Sequence, residues 1–397
     1  MNLPMYLYYS KKEKLWFHSI PNESLLIGGM NVPISFYHFD EHCIEFPAHI
    51  NEKKAGPFIG IMISKTKKGK WIGNITIIQY LVKELLKKGG IPFLFSPEQL
   101  TENSISEGLL FHPNTKEWLK VHLPIPDAVY NRIPNREYEN TKECLNTIHF
   151  FQKHHIPFFN PHFLDKYECY KLLVENEKLK KYLPPTIMID DQEKLKQFLQ
   201  LNKEIYVKLA NSSRGKGVHY LKIRDDQSIL FKSPKKIKYY PTFHHYWNSF
   251  NGKFIKKRYI AQKAISPKKI QGKRYDFRVL AHNKENGFKI TGIGVRRSNV
   301  QNITTHIPLG GKLLPFEYFK TTEILNEIEQ ILNEISLQFS NHQKFFGEIS
   351  LDIGESESNQ LFLYEINSKP MTFDEPMIEQ KRMEKLAEIL FHLSGFH

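Results

Sequence analysis

Cysteine is scarce in this chain of 397 residues: Cys43, Cys144 and Cys169 lie far apart and have no metal-ligand spacing. An odd, sparse set excludes a disulfide framework and a cysteine-built metal centre, and it fits a reducing compartment. No apolar run reaches the roughly 20 residues that cross a bilayer. The opening MNLPMYLYYSKKEKL lacks the apolar centre of a secretory leader, so the expectation is a soluble, cytoplasmic protein with no membrane partner. Acid is missing from one long stretch: Gln227 to Tyr275 holds no Asp or Glu, while KSPKKIKYY, GKFIKKRYI and SPKKIQGKRYD supply lysine and arginine.

The overall charge is +14, from 56 basic and 42 acidic residues. A basic stretch of this length attracts polyanions over a Debye length of about 8–10 Å. Tyr239, Tyr240, Phe243, Tyr246, Trp247 and Tyr259 are interleaved with it and are candidates to stack on bases. No recognisable nucleic-acid module accompanies the patch, which disfavours nucleic acid. A basic mouth over a nucleotide site, or docking on an acidic polymer or coat partner, accounts for it equally well. Hydrophobic content of 41% and charged content of 25% are those of a globular protein long enough for two or three domains.

The chemistry concentrates in GEISLDIGESESNQLFLYEINSKPM, residues 347–371. Alternation predicts a strand from Phe346 to Ile353, a turn over Gly354–Asn359, and a return strand from Leu361 to Asn367. With period two, Ile349, Leu351 and Ile353 share one face, and Glu348, Ser350 and Asp352 the other. The same rule places Glu365 and Asn367 with Leu361 and Leu363. Pairing of the strands would bring Asp352 near Glu365, where two carboxylates need a cation between them. Magnesium suits hard oxygen ligands of this kind, held by one or two carboxylates plus phosphate. A hairpin with solvated acids is the competing account.

Before the hairpin, residues 1–52 alternate aromatic and polar residues around Gly28-Gly29 and form a small β-rich extension whose histidines, His18, His38, His42 and His49, lack metal spacing. Residues 53–160 follow a βαβ pattern: GPFIGIMIS is a buried strand, Asn74 caps a helix bearing Ile77, Ile78, Leu81, Leu85 and Leu86, and IPFLF is the next strand. Arg132 and Arg136 follow the strand DAVYNR, where ligands of open α/β sheets often bind. In residues 161–397, DQEKLKQFLQLN reads as a helix with Leu195, Phe198, Leu199 and Leu201 on its apolar side. IYVKLANSSRGKGVHYLKI reads as strand, Gly-rich loop, strand. It lacks the GxxxxGK[ST] spacing of a P-loop, but Gly215 and Gly217 let backbone amides turn toward phosphate, with Ser212, Ser213, Arg214 and Lys216 as added donors. Later, Ile324, Leu325, Ile328, Ile331, Leu332, Ile335 and Phe339 form one helical stripe.

In this order DAVYNRIPNR, VKLANSSRGKGV, DFRVL, THIPLGG and LDIG…LYEINSKP resemble the ATP-grasp superfamily, and within it the endospore coat-associated YheC/YheD-like branch, from about Ala55 onward. The resemblance implies an α/β (α+β ATP-grasp) fold over 161–397, preceded by the βαβ domain and the β-rich extension. It implies ATP and Mg²⁺ as cofactors, with ATP gripped between two antiparallel sheets. It makes Lys166 and Lys208 nucleotide-contacting lysines, and Ser213, Arg214, Gly215, Lys216 and Gly217 a lid over the phosphates. Gln262, Lys263, Ala264 and Ile265 become the hinge that reads adenine. Arg278 and Arg296 become the arginines that steady a γ-phosphate or acyl-phosphate, and Asp352, Glu365 and Asn367 the magnesium ligands. The implied activity is a carboxylate–amine or carboxylate–thiol ligase forming ADP and phosphate, with substrates the sequence does not name. An ATP-binding but catalytically silent spore-coat or scaffold protein is the alternative. Two positions depart from the pattern. SPKKIQGKR is basic where many ATP-grasp enzymes hold the ribose with an acid, and His306 stands where several carry asparagine. Taken singly, Lys208 also reads as a solvated strand lysine, Arg278 as a partner of Asp276, and His306 as a turn residue.

Overall fold

The structure is a computed structural model that describes residues 5–36, 43–66, 68–212, 217–283, 287–299, 305, 307, 310–342 and 345–396. The chain divides into two compact units, one of Met1–Phe163, Phe345–Gly347 and Glu379–His397, the other of Leu164–Lys344 and Glu348–Ile378.

The first unit opens with a closed barrel of Met5–Ser10, Leu15–His18, Leu25–Ile27, Val32–Phe36, Cys43–Asn51 and Lys54–Gly56. Alternation directs Leu7, Tyr9, Trp16, Ile27 and Phe46 into a core shared with Phe58, Phe93 and Phe95 of the following sheet. Closure leaves these short strands without an open edge. In that sheet Phe58–Met62 pairs in parallel with both Ile91–Phe95 and Ala128–Asn131. The helix Ile75–Lys87 makes the crossover, started by the Asn74 side chain accepting from the Ile77 amide, 3.4 Å, and ended near Gly89 at φ +76°. The expected βαβ element is therefore present. A hairpin of Ser104–Phe111 and Trp118–Pro124 extends one edge in antiparallel sense.

The second unit contains two antiparallel sheets. The strands of one run in the order Thr186–Met188, Tyr259–Lys263, Glu204–Leu209, His219–Ile223, Ile229–Ser233, Lys236–Tyr240. The helices Gln192–Asn202 and Phe243–Lys256 contribute Leu195, Phe198, Leu199, Tyr246 and Phe254 to the core on one face. Leu201 is 81% exposed, because two residues beyond Leu199 is the opposite side of a helix. The basic stretch's aromatics fare differently from the base-stacking expectation: Tyr240, Phe243, Tyr246 and Tyr259 are buried in this core and Trp247 packs against it. Of that group Tyr239 alone is more than half exposed.

The other sheet runs Lys312–Leu314, Phe288–Arg297, Lys273–Asn283, Glu348–Glu355, Leu361–Asn367. Its apolar face includes Phe277, Val279, Val295, Leu351 and Ile353, all buried. The helix Thr322–Asn341 buries Ile328, Ile331, Leu332, Ile335 and Phe339, as the stripe predicts, while Ile324 and Leu325 are only half-buried.

Inside the first of these sheets' cores, His219 hydrogen-bonds the Tyr246 hydroxyl at 2.7 Å, and burial pushes its pKa down to about 3. The folded chain thus refuses a proton that the unfolded chain accepts below about pH 6.5. Stability is full above that value and declines as pH falls toward 3, at up to about 1.4 kcal/mol per unit. Urea unfolding at pH 6.5 and 5 is expected to show the unaltered protein losing about 1.5 kcal/mol more than His219→Gln. Equal losses would mean that this histidine titrates freely in the folded state.

Candidate active site

The polar face of the second antiparallel sheet, six-stranded once Lys269–Ile270 beside Lys273–Asn283 is included, starts from one alternation. In Lys273–Asn283, Arg274, Asp276 and Arg278 recur at every second position and share a face. Arg278 stands opposite Gly294 on one side and Asp352 on the other, and Asp352 stands opposite Glu365. The next row on that face pairs Ser350 with Asn367. Asp352, Glu365 and Asn367 are half-buried, whereas Glu348 and Ser350 further along are fully buried, so the wet corner lies at Asp352.

Strict alternation fails in the return strand, and the failure matters. Leu363 pairs with Ile353 while Glu365 pairs with Asp352, so Leu363 and Tyr364 together oppose one residue. This β-bulge separates Glu365 and Asn367 from Leu361 and Leu363, correcting the expected facing. Leu361 and Leu363 stay buried in the core, and Glu365 joins Asp352. The first strand begins at Glu348 rather than Phe346 and continues to Glu355.

Lys166, at the start of the helix Lys166–Val174, places its Nζ 3.2 Å from Glu365 Oε1 and donates to the Ser212 carbonyl. Lys208, on Glu204–Leu209, donates to Gln262 Oε1 at 2.6 Å, and Gln262 Nε2 donates to Thr186 Oγ1 at 3.2 Å. Burial pushes the Lys208 pKa down to about 8; Glu365 and Asp352 resist that shift, and Lys166 and Arg274 add to it. The two lysines and two carboxylates therefore feel one another, as a single site requires.

Arg278 donates to the Met371 and Thr372 carbonyls at 3.1 and 3.3 Å and lies 4.4 Å over the Phe373 ring. Arg296 pairs with Asp374 at 3.1 Å. The expected alternative, Arg278 with Asp276, is not what forms: Asp276 takes Arg274 at 3.3 Å and the Thr305 hydroxyl at 2.5 Å. Arg274 also donates to the Tyr206 hydroxyl at 2.8 Å, tying the two sheets together. Burial opposes its charge most strongly, but Asp276, Tyr206 and Tyr364 together hold its pKa above the usual value.

In the expected hinge, the Lys263 amide donates to the Pro185 carbonyl at 2.9 Å and the Ala264 amide to the Glu204 carbonyl at 3.0 Å. Those two amides are engaged by the fold; Gln262 is buried, Lys263 exposed, and Ala264 and Ile265 half-buried. Gly217 sits at φ +75°, where an added Cβ would be 2.7 Å from Leu209. Ser213, Arg214, Gly215, Lys216 and His306 lie outside the described residues. In the first unit, Arg132 follows Ala128–Asn131 directly and Arg136 opens a short helix, its guanidinium 4.6 Å over Phe163.

Among the described residues no group of three or more His, Cys, Asp or Glu can hold a metal ion. The donor set is two carboxylates and one amide on adjacent rows. That fits magnesium in the manner of a phosphate-bridged ion and does not fit an all-protein cage. Sequence reasoning missed Arg274 and Glu375. The period-two run Arg274-Asp276-Arg278 was a usable signal for the first; Glu375 follows a turn and carries none.

Solved structures match across most of the chain, two of them as follows. The D-alanyl-alanine synthetase A from Vibrio cholerae O1 biovar eltor str. N16961 is 13% identical with a TM-score of 0.52, over 86% of this chain and 99% of that one. The VanG D-Ala:D-Ser ligase from Enterococcus faecalis is 10% identical with a TM-score of 0.51, over 85% and 99%. Together with the paired antiparallel sheets they define an ATP-grasp fold. Residues 155–394 match the model of the YheC/D-like ATP-grasp family, and the chain belongs to that family. The endospore coat-associated protein YheD of Bacillus subtilis (strain 168) is 29% identical over 71% of this chain, which spans 65% of YheD. The endospore coat-associated protein YheC of the same organism is 21% identical over 72% of this chain and 84% of YheC.

Lys208 tests the electrostatics of the site without any ligand. Lys208→Met removes a charge that the fold desolvates and leaves one amide oxygen of Gln262 without its donor. The expected net is a ligand-free protein more stable by about 1 kcal/mol, or roughly 2–4 °C in Tm. A lower Tm would mean that the lysine is a stabilising partner and not a strained one.

Proposed function

We propose that the chain is an ATP- and Mg²⁺-dependent ligase that joins a carboxylate to an amine or thiol through an acyl-phosphate, releasing ADP and phosphate. The observation that carries this reading is the meeting, within one unit, of Lys166 and Lys208 with Asp352 and Glu365, with Asn367 on the next row. Arg278 shares the Asp352 row, and Arg296 lies two residues beyond Gly294 on the neighbouring strand.

In this reading Lys166 and Lys208 bind phosphate oxygens, Gln262 to Ile265 border the adenine, and Ser213 to Gly217 close over the phosphates. A carboxylate substrate attacks the γ-phosphorus and ADP leaves; the amine or thiol then attacks the acyl carbon and phosphate leaves. Arg278 and Arg296 offset the charge on the transferring group and hold the acyl-phosphate in line for attack. Asp352, Glu365 and Asn367 would hold magnesium, whose positive charge would offset the negative charge of the phosphates. The basic stretch would receive an acidic polymer or coat partner. Lys256, Lys257 and Arg258 line an open cavity of about 500 Å³ with Lys171, Glu168 and Asp190, where Glu168 already pairs with Arg258 and Lys171. Nucleic acid is less favoured now that the stretch's aromatics lie mostly in the core.

The second reading is an ATP-binding, catalytically silent spore-coat or scaffold protein. The names of YheD and YheC, both endospore coat-associated, favour it.

Three substitutions separate the readings. Lys208→Ala is expected to weaken Mg-ATP binding by about ten- to a hundredfold, or about 1.5–3 kcal/mol, through loss of a charge-assisted contact. Asp352→Asn and Glu365→Gln keep shape and remove one charge, so both should stay folded, bind Mg-ATP more weakly and lose ADP release. For a silent scaffold the unaltered protein binds Mg-ATP and releases no ADP against amino acids, peptides and thiols. Calorimetry showing no Mg-ATP binding by the unaltered protein would sink both readings.

A further inference from the structure

The turn after the acidic hairpin brings a further carboxylate onto the same face. Asp374 is taken by Arg296, but both carboxylate oxygens of Glu375 are buried with no hydrogen-bond partner among the described residues. The carboxylate lies over Gly294, where an added Cβ would come within 2.3 Å of Oε1. Gly294 is the residue opposite Arg278 and two before Arg296. Burial above all, then Asp374, pushes the Glu375 pKa up, while its own backbone amide, then Arg296 and Arg278, pull it down; the net direction is up.

A carboxylate stripped of water and left without a donor is costly to the fold. Two arginines lie nearby: Arg278 donates to the Met371 and Thr372 carbonyls, and Arg296 gives Nη2 to Asp374 while its buried Nε has no partner among the described residues, so neither is hydrogen-bonded to Glu375. A missing side chain at Gly294 leaves room for the carboxylate to sit there. These are the features of an acceptor held ready for a donor that arrives from outside.

Building on the ligase reading above, we infer that Glu375 binds the ammonium group of the second substrate and takes its proton, so that the acceptor is a primary amine and not a thiol. An ammonium brings positive charge and three donors to two waiting oxygens, whereas a thiol brings no charge and one weak donor. In the step, the ammonium gives one proton to the Glu375 carboxylate and the freed lone pair forms the C–N bond to the acyl carbon. The C–O bond to phosphate breaks with its electron pair going to the phosphate, which carries off the second nitrogen proton. The arginines stay on the acyl-phosphate side, so acid and base of the site are divided between the two substrates.

The test uses the full chain with Mg-ATP, ADP release as readout, and two acceptor pools, one of amino acids and peptides and one of small thiols. The expected result is release with amines, cut about 100-fold or more in Glu375→Gln. Mg-ATP affinity should stay within about twofold and the melting temperature should hold or rise, because a desolvated charge has been removed. Glu375→Asp should recover part of the rate. Full activity in Glu375→Gln, or release with thiols and not amines, would overturn this inference while leaving the ligase reading intact. A Glu375→Gln variant that loses Mg-ATP affinity would overturn it by placing the residue in nucleotide binding. No ADP release by the unaltered protein with either pool would overturn the ligase reading, and this inference with it.

Discussion

One extra residue in a strand decides which way Glu365 points. Without the bulge at Tyr364, alternation would send Glu365 to the same face as Leu363, into the layer that packs on the helix Thr322–Asn341. With it, Leu363 remains in the core and Glu365 turns to stand across from Asp352. Two features of the corner depend on that turn: the Lys166 contact, and the addition of Glu365 to the row where Asp352 stands opposite Arg278. The strand thereby serves a dry face and a charged face in sequence, which a regular strand cannot do with this order of residues.

The charged face is a place where the fold accepts cost. Lys208 is held near pH 8, Arg274 is buried, and Glu375 has no partner among the described residues. Stabilisation comes from elsewhere in the unit, where Phe277, Val279, Leu351 and Ile353 back the same strands with a fully apolar face. Arg274 contributes in a different manner. By joining Tyr206 to Asp276 it fixes the distance between the two sheets, and it does so with a group that does not lose its charge at working pH. Fixed spacing between the sheets is what catalysis by positioning would require, should the proposed ligase reading hold.

The fold was legible because its signals are local and periodic. The Asn74 cap, the Ile328-to-Phe339 stripe and the hairpin of residues 348–367 all appear in the structure, and the ordered motifs pointed to the ATP-grasp fold that the comparisons bear out. The pairing of Asp352 with Glu365 was legible too, although the reason for it was not. A bulge leaves no mark in a run such as LFLYEIN, since every residue there suits a regular strand. Leu201 was misplaced because a count of apolar residues ignores that two positions along a helix is nearly the far side. The stacking aromatics were misread for another reason: charge pattern says which partner a segment attracts, and nothing about whether its rings are already spent in a core. Glu375 was out of reach, since its isolation depends on what the arginines of two other strands choose to contact.

The contact between Lys166 and Glu365 has a consequence for how the site fills. A free divalent cation approaching Glu365 must first displace an ammonium already 3.2 Å away, so metal alone meets a carboxylate that is partly neutralised. On the proposed reading, a nucleotide phosphate would change that balance by offering Lys166 a stronger anion and releasing Glu365. Metal and nucleotide would then be coupled favourably through one side chain, and thermodynamic linkage would make the coupling reciprocal. Each should raise the other's affinity by the same factor, measurable as the difference between titrations of either one alone and in the presence of its partner. Lys166 would in that case act as a lock on order of entry, holding the metal seat until the nucleotide arrives to claim the lysine.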